Sequence, residues 1–235
     1  MDWTRAAERG AGVLSRDEYL AAWAGWHGGT DPADSRLVHG WLTLAYTLAR
    51  PFGGRSPLLA TALGLIVAAA AVGPAVAGGG WLIAAGLLVG LSGLLDSLDG
   101  ALAIAGGTAS RRGFVLDSAV DRLTEVAYAV ALWSAGAPGW LAAAFGALCW
   151  LPDYLRARAG QAGVSETGAI SAWERPTRVA MAGFTLGGAG VLAVLRAGGP
   201  DAADWVVTCG AAVGCLLGVL GTAQLGVQLR RALAD

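Results

Sequence analysis

The sequence predicts an all-α polytopic membrane protein: six transmembrane helices preceded by an N-terminal amphipathic helix lying in the membrane interface. Three observations predict it. Apolar runs recur six times, each near the roughly 20 residues that a helix needs to cross a bilayer core about 30 Å thick. Hydrophobic residues make up 55% of the 235 and charged residues 14%, against about 25% charged in a soluble domain, and mean hydropathy is +0.57. The basic residues, all arginine, are distributed with a strong bias. With the N-terminus inside, fourteen of the 16 fall on the inner side, Arg196 alone falls outside, and Arg122 lies within a span. Basic loops stay cytoplasmic, so both termini are expected inside.

Residues 1–50 form a mixed segment with acids and bases interleaved. They contain no compact apolar stretch ending in a cleavage site, so a secretory leader is not expected. Within them, 35–49 (SRLVHGWLTLAYTLA) places Leu37, Trp41, Leu44, Ala45 and Leu48 on one helical stripe. An interfacial amphipathic helix fits this pattern; the alternative is an ordinary helix packed on the cytoplasmic face. Pro51, Gly53 and Gly54 break the chain before the membrane domain, residues 51–235.

The spans are expected at about 57–77, 80–99, 114–135, 139–157, 177–196 and 205–228. Trp81, Trp133, Trp140 and Trp205 then fall at the outer interface, where an indole is favoured. Glycines in the second, fifth and sixth spans suit close helix contact. Cys149, Cys209 and Cys215 lie in apolar runs with no CxxC pair and read as small buried hydrophobes. His27 and His39 read as surface or interfacial residues. The net charge of -1 gives no basis for nucleic-acid binding.

The chemistry concentrates in 92–125. Asp96 and Asp99 share a face near the end of the second span. Asp117 and Asp121 share a face near the start of the third, and Glu125 continues that stripe. Gly106, Gly107 and Gly113 allow a turn between the two helices. Sequential antiparallel helices bring both acidic faces to one depth. An acid at membrane depth costs roughly 3 kcal/mol even on lenient scales, so four together need positive charge between them. Arg111, Arg112 and Arg122 are candidates, and a divalent cation fits better, because converging carboxylates make a hard oxygen cage suited to Mg²⁺ or Mn²⁺. The plainer alternative is a set of helix-end acids facing water with arginine partners. Acids at helix ends and the absence of an internal repeat argue against a transporter.

Asp96-x2-Asp99-Gly100-x2-Ala103, then Gly113-x3-Asp117-x3-Asp121, resembles the signature of the CDP-alcohol phosphotransferases. Every spacing is met, and Ile104 stands where that signature has arginine. Ser56-Pro57-x3-Thr61-x2-Gly64 looks like the start of the family's first helix, beside the nucleotide pocket. The segment 153–178 looks like the arginine-bearing region of bacterial phosphatidylinositol-phosphate and phosphatidylglycerophosphate synthases; the alternative for its arginines is flanking charge.

The resemblance implies transfer of a phosphatidyl group from a CDP-linked lipid such as CDP-diacylglycerol to an alcohol, with release of CMP. Inositol phosphate or glycerol phosphate is the favoured acceptor. Two Mg²⁺ or Mn²⁺ ions are implied on Asp96, Asp99, Asp117 and Asp121, with Asp121 as the base. Thr61, Gly64, Asp99, Gly100, Ala103 and Gly113 would border the donor nucleotide. Arg111, Arg112, Arg156, Arg158, Arg175 and Arg178 would receive the acceptor phosphate, Arg111 or Arg112 standing in for the missing arginine. A homodimer in the inner cell membrane, with the active site on the cytoplasmic side, completes the expectation. A catalytically degenerate member acting as a membrane partner or regulator is the alternative, and it rests on Ile104.

Overall fold

The computed structural model describes residues 14–26, 31–34, 36–52, 55–164, 171–199 and 201–234, apart from the side chains of 26, 34 and 36–38. Among them there is no strand. The helices are α1 (Arg16–Trp26), α2 (Arg36–Ala49), α3 (Pro57–Ala70), α4 (Val72–Ala77), α5 (Trp81–Ala105), α6 (Arg111–Ser134), α7 (Gly139–Gln161), α8 (Arg175–Leu195) and α9 (Ala202–Ala232).

Four stretches are long and apolar enough to cross a membrane: Pro57–Ala77, Trp81–Ala105, Arg175–Leu195 and Ala202–Ala232. The protein is therefore polytopic. The third and fourth expected spans are present as helices α6 and α7, of 24 and 23 residues. Both are long enough to span at about 1.5 Å per residue, but they are less apolar than the other four. Arg111, Arg112, Asp117, Asp121, Arg122 and Glu125 all lie in α6, and Asp153, Arg156 and Arg158 lie in α7.

The first expected span is not one unbroken helix. A turn at Ala71 separates α3 from α4, three residues before Pro74. Proline has no N–H to donate and its ring crowds the preceding turn. The second span runs to Ala105, beyond the expected 99, so Asp96 and Asp99 lie inside a helix rather than near its end.

The chain divides into two compact units, Met1–Leu65 with Gly93–Asp121, and Ile66–Ser92 with Arg122–Asp235. In the first, α1 begins with a capping box: the Ser15 N–H and hydroxyl both donate to Glu18 Oε2, at 2.8 and 2.7 Å. Tyr19, Leu42, Ala45, Tyr46 and Ala49 pack with Ala101, Leu102 and Ala105 of α5 into one apolar cluster. On α2, Trp41, Leu44 and Leu48 of the expected stripe are exposed, at 44%, 46% and 37%. Ala45 is a correction: it belongs to the opposite, buried face with Leu42, Tyr46 and Ala49. Leu37 lies among the side chains outside the description. The helix is thus apolar on two faces, one packed against α5 and one exposed.

The second unit is held by close helix contact, since apolar burial between helices drives little inside lipid. A methyl group added at Gly86 would lie 2.5 Å from the Gly183 carbonyl oxygen, and one at Gly190 would collide with the Ile83 backbone. The α5 and α8 backbones touch because those positions lack a Cβ. The Trp173 ring packs edge-on against Phe145 with centroids 5.4 Å apart. Trp81, Trp133, Trp140 and Trp205 are all exposed. Of the free cysteines, Cys149 is buried and Cys215 half-buried as expected, but Cys209 is exposed; its side chain points away from the helix contacts of α9.

Candidate metal centre

The site is built at the α5–α6 turn. Thr108 N–H donates to Ala103 O at 3.0 Å and Gly107 N–H to Ile104 O at 3.3 Å. This is a Schellman closure of α5, and Gly107 takes the left-handed position it requires, at φ 61°. The Ser110 hydroxyl then caps α6 by accepting the Gly113 N–H at 3.0 Å. Gly113 is thus part of the first turn of α6 and not of the connection, and the sequence reading passed over Ser110.

The turn brings Asp96, Asp99 and Asp117 together, with one carboxylate oxygen from each lying within 4.8 Å of the others. Asp99 is 6% exposed and accepts the Thr61 hydroxyl at 2.7 Å. The charges of Asp117 and Asp96 bear most strongly on Asp99, with Asp121 adding to them. Asp121 is half-buried one turn beyond Asp117, outside the set of three.

These residues fit a divalent cation. All the donors are hard oxygens, and magnesium–oxygen bonds of about 2.1 Å bridge such a separation after small side-chain shifts. A buried carboxylate among like charges needs a cation or strong hydrogen bonds, and Asp99 has one such bond from Thr61. Beside the acids, Gly100 is exposed with open space where a side chain would stand. Gly64 is buried and Ala103 half-buried. Arg111 and Arg112 are exposed in the first turn of α6.

Ile104 is half-buried and packs against the Tyr19–Leu42–Tyr46 cluster. The position that carries an arginine in the signature is here part of an apolar contact.

The other four predicted arginines belong to the second unit. Arg178 is 1% exposed. Its Nη1 donates to Glu125 Oε1 at 2.7 Å and Asp153 Oδ2 at 2.6 Å, and its Nε to Trp173 O at 3.0 Å. Arg122 meets the same two acids, at 3.1 and 2.7 Å. Arg156 bridges Asp153 and Glu174, and Arg175 donates to Thr124 Oγ1 at 3.2 Å. Arg158 is exposed and donates to Gln161 at 2.6 Å.

Glu174 also accepts Ser171 N–H and Oγ, each at 2.8 Å. Burial pushes its pKa up, but the bonds from Arg156 and Ser171 outweigh that and hold it below the ordinary value. Glu125 is thus paired with both Arg122 and Arg178. Asp153 and Glu174, which complete the lattice, were not singled out in the sequence, and residues 165–170 of the arginine-bearing segment lie outside the described ones.

The sequence profile of the CDP-alcohol phosphatidyltransferases matches residues 56–216. Two solved structures of the phosphatidylinositol phosphate synthase of Mycobacterium tuberculosis are similar. The one with manganese and citrate has TM-score 0.61 and 26% identity, covering 79% of this chain and 88% of that one. The one with CDP-DAG bound has TM-score 0.57 and 26% identity, covering 77% and 92%. None of the curated proteins matches the chain in sequence.

Proposed function

Since the chain belongs to the CDP-alcohol phosphatidyltransferase family, we propose that it transfers a phosphatidyl group from CDP-diacylglycerol to a polar alcohol and releases CMP. The observation that carries this reading is the convergence of Asp96, Asp99 and Asp117 on the motif that defines the resemblance. The mycobacterial neighbour was crystallised with CDP-DAG and, separately, with manganese, and we carry both to this chain.

Asp96, Asp99 and Asp117 would hold Mg²⁺ or Mn²⁺, with Asp121 completing a two-ion site. Such ions neutralise pyrophosphate charge and ease departure of the nucleotide. Thr61 keeps Asp99 aimed into the site through its 2.7 Å hydrogen bond. Gly100 lets the donor approach the α5 backbone, because nothing occupies the space beside it. Ala103, Gly64 and Gly113 border the same nucleotide region. Asp121 accepts the proton of the attacking hydroxyl as the new oxygen–phosphorus bond forms at the β-phosphorus and the bond to CMP breaks. Phosphoryl transfer asks mainly for positioning and electrostatics, and these side chains supply both.

For the acceptor we favour inositol phosphate or glycerol phosphate. Arg111, Arg112 and Arg158 reach solvent and would attract its phosphate. Arg156, Arg175 and Arg178 are engaged in the lattice, so their part is to join α6, α7 and α8 within the second unit. We place six spans in the inner membrane with both termini and the acids on the cytoplasmic side, and the protein as a homodimer. A CDP-lipid head group at the interface and a polar acceptor from the cytoplasm would meet there.

The test is CMP release from radiolabelled CDP-diacylglycerol by purified protein with Mg²⁺, each alcohol supplied separately. Release that Asp121→Asn lowers at least a hundredfold is expected. Ile104 favours a second reading, a non-catalytic family member, and no release with any alcohol would select it.

A further inference from the structure

The four final carbonyls of α5 are each satisfied, but not by one source. Leu102, Ala103 and Ile104 receive N–H groups from the turn that follows: Gly106, Thr108 and Gly107. Ala105 receives its bond from Leu14 N–H at 2.9 Å, a residue 91 positions earlier in the chain. Helix-end carbonyls left without donors fray the last turn, so the N-terminal arm, Leu14–Ala49, completes the cap of the helix that bears Asp96 and Asp99.

Two further contacts hold the arm together and a third ties it to α5. Tyr46 donates its hydroxyl to Leu14 O at 2.8 Å. The Tyr19 and Tyr46 rings stack tilted, with centroids 5.4 Å apart, and Tyr19 is 1% exposed. The Trp41 indole donates to Ser97 Oγ at 3.2 Å, between the two acids in sequence. Ile104 lies against the same cluster. A guanidinium there would enter an apolar contact with a cluster whose buried members are all hydrophobic.

We propose that Ile104 is a positioning residue: it seats the N-terminal arm on the last turn of α5, and the seated arm holds the Asp96–Asp99–Gly100 face in register for the CDP-linked donor. This rests on the proposed transferase reading. The replacement of arginine is then not a lost phosphate contact but a gained hydrophobic anchor, and the arm takes over the ordering of that helix end.

The two views of position 104 predict opposite results for Ile104→Arg. Restoring the signature would raise activity or lower the KM for CDP-diacylglycerol if the side chain faced the donor. The arm-anchor role predicts lost activity and a lower melting temperature in detergent.

A gentler pair keeps the test independent of folding. Ile104→Ala and Tyr19→Leu are expected to raise the donor KM roughly fivefold to tenfold, with kcat and acceptor KM, corrected for active fraction, within about twofold. Ile104→Val is expected to restore the donor KM. Equal loss in all constants, or an unchanged donor KM, overturns the proposal, as does activation by Ile104→Arg.

Should the wild-type protein release no CMP with any alcohol, the transferase reading fails separately. Mn²⁺ titration followed by electron paramagnetic resonance then decides the structural half. Weaker binding in Ile104→Ala, regained in Ile104→Val, sustains it, and identical binding in all three rejects it.

Discussion

At the residue scale, the cluster of acids depends on a hydroxyl. Thr61 is buried and gives Asp99 a hydrogen bond 2.7 Å long. Residues that orient a metal ligand are worth about 10–100-fold in metal affinity. Thr61→Ala is therefore expected to weaken Mn²⁺ binding roughly tenfold or more, while Thr61→Ser retains most of it; calorimetric titration of the detergent-solubilised protein measures both. The acids themselves were legible in the sequence, because spacings of three and four put side chains on one helix face whatever the tertiary fold. The partner of Asp99 was less so. Thr61 was marked through a resemblance as a border of the nucleotide pocket, and its bond to a residue 38 positions away has no local signature. The meaning of Ile104 was also out of reach, since a side chain read alone does not say whether it faces a ligand or a neighbouring helix.

At the scale of elements, α7 and the segment before α8 are joined through Glu174, which takes two hydrogen bonds from Arg156 and two from Ser171. Its carboxyl pKa is held below the ordinary value of 4.5. A group with a depressed folded-state pKa stabilises the fold above its unfolded value and loses that contribution as pH falls through the folded one. Glu174→Gln is thus expected to cost about 1 kcal/mol near neutral pH, and the difference from wild type should shrink as pH drops below about 4.5. Unfolding in detergent followed by tryptophan emission across pH gives both numbers, and a constant gap at all pH values contradicts the assignment. The helices from α2 onward were readable from the apolar pattern, α3 and α4 as one span, but α1 (Arg16–Trp26) was not, lying in the mixed segment 1–50. What hydropathy could not show was the interruption at Ala71, a backbone response to Pro74, or which face of α2 is buried. Leu42 and Tyr46 are apolar like Trp41 and Leu44, so periodicity alone could not choose between the faces.

For the whole molecule, the outward surface carries the argument. In the four long apolar helices only 28–33% of the most hydrophobic window is buried within the protein. Leu59, Ile66, Leu87, Phe184, Val194 and Leu216 all stand exposed. A surface of this kind needs lipid around it, and helices satisfy every backbone group there. The proposed orientation rests on the bias of the arginines. In a background with its three cysteines replaced, Arg196→Cys is expected to react with an impermeant maleimide from outside intact cells, and Arg112→Cys only after permeabilisation. The reverse pattern would turn the proposed topology over.

The lattice of Glu125, Asp153 and Arg178 also bears on how the protein is made. Its charges sit on three successive helices, α6, α7 and α8. Glu125 has Arg122 three residues away on α6, at 3.1 Å, and Asp153 has Arg156 three residues away on α7, at 3.2 Å, so each acid brings a counterion on its own helix. Arg178 does not, because α8 holds no acid, and a buried guanidinium without a partner is costly. Arg178 therefore depends on acids that the chain has already made by the time the ribosome delivers α8.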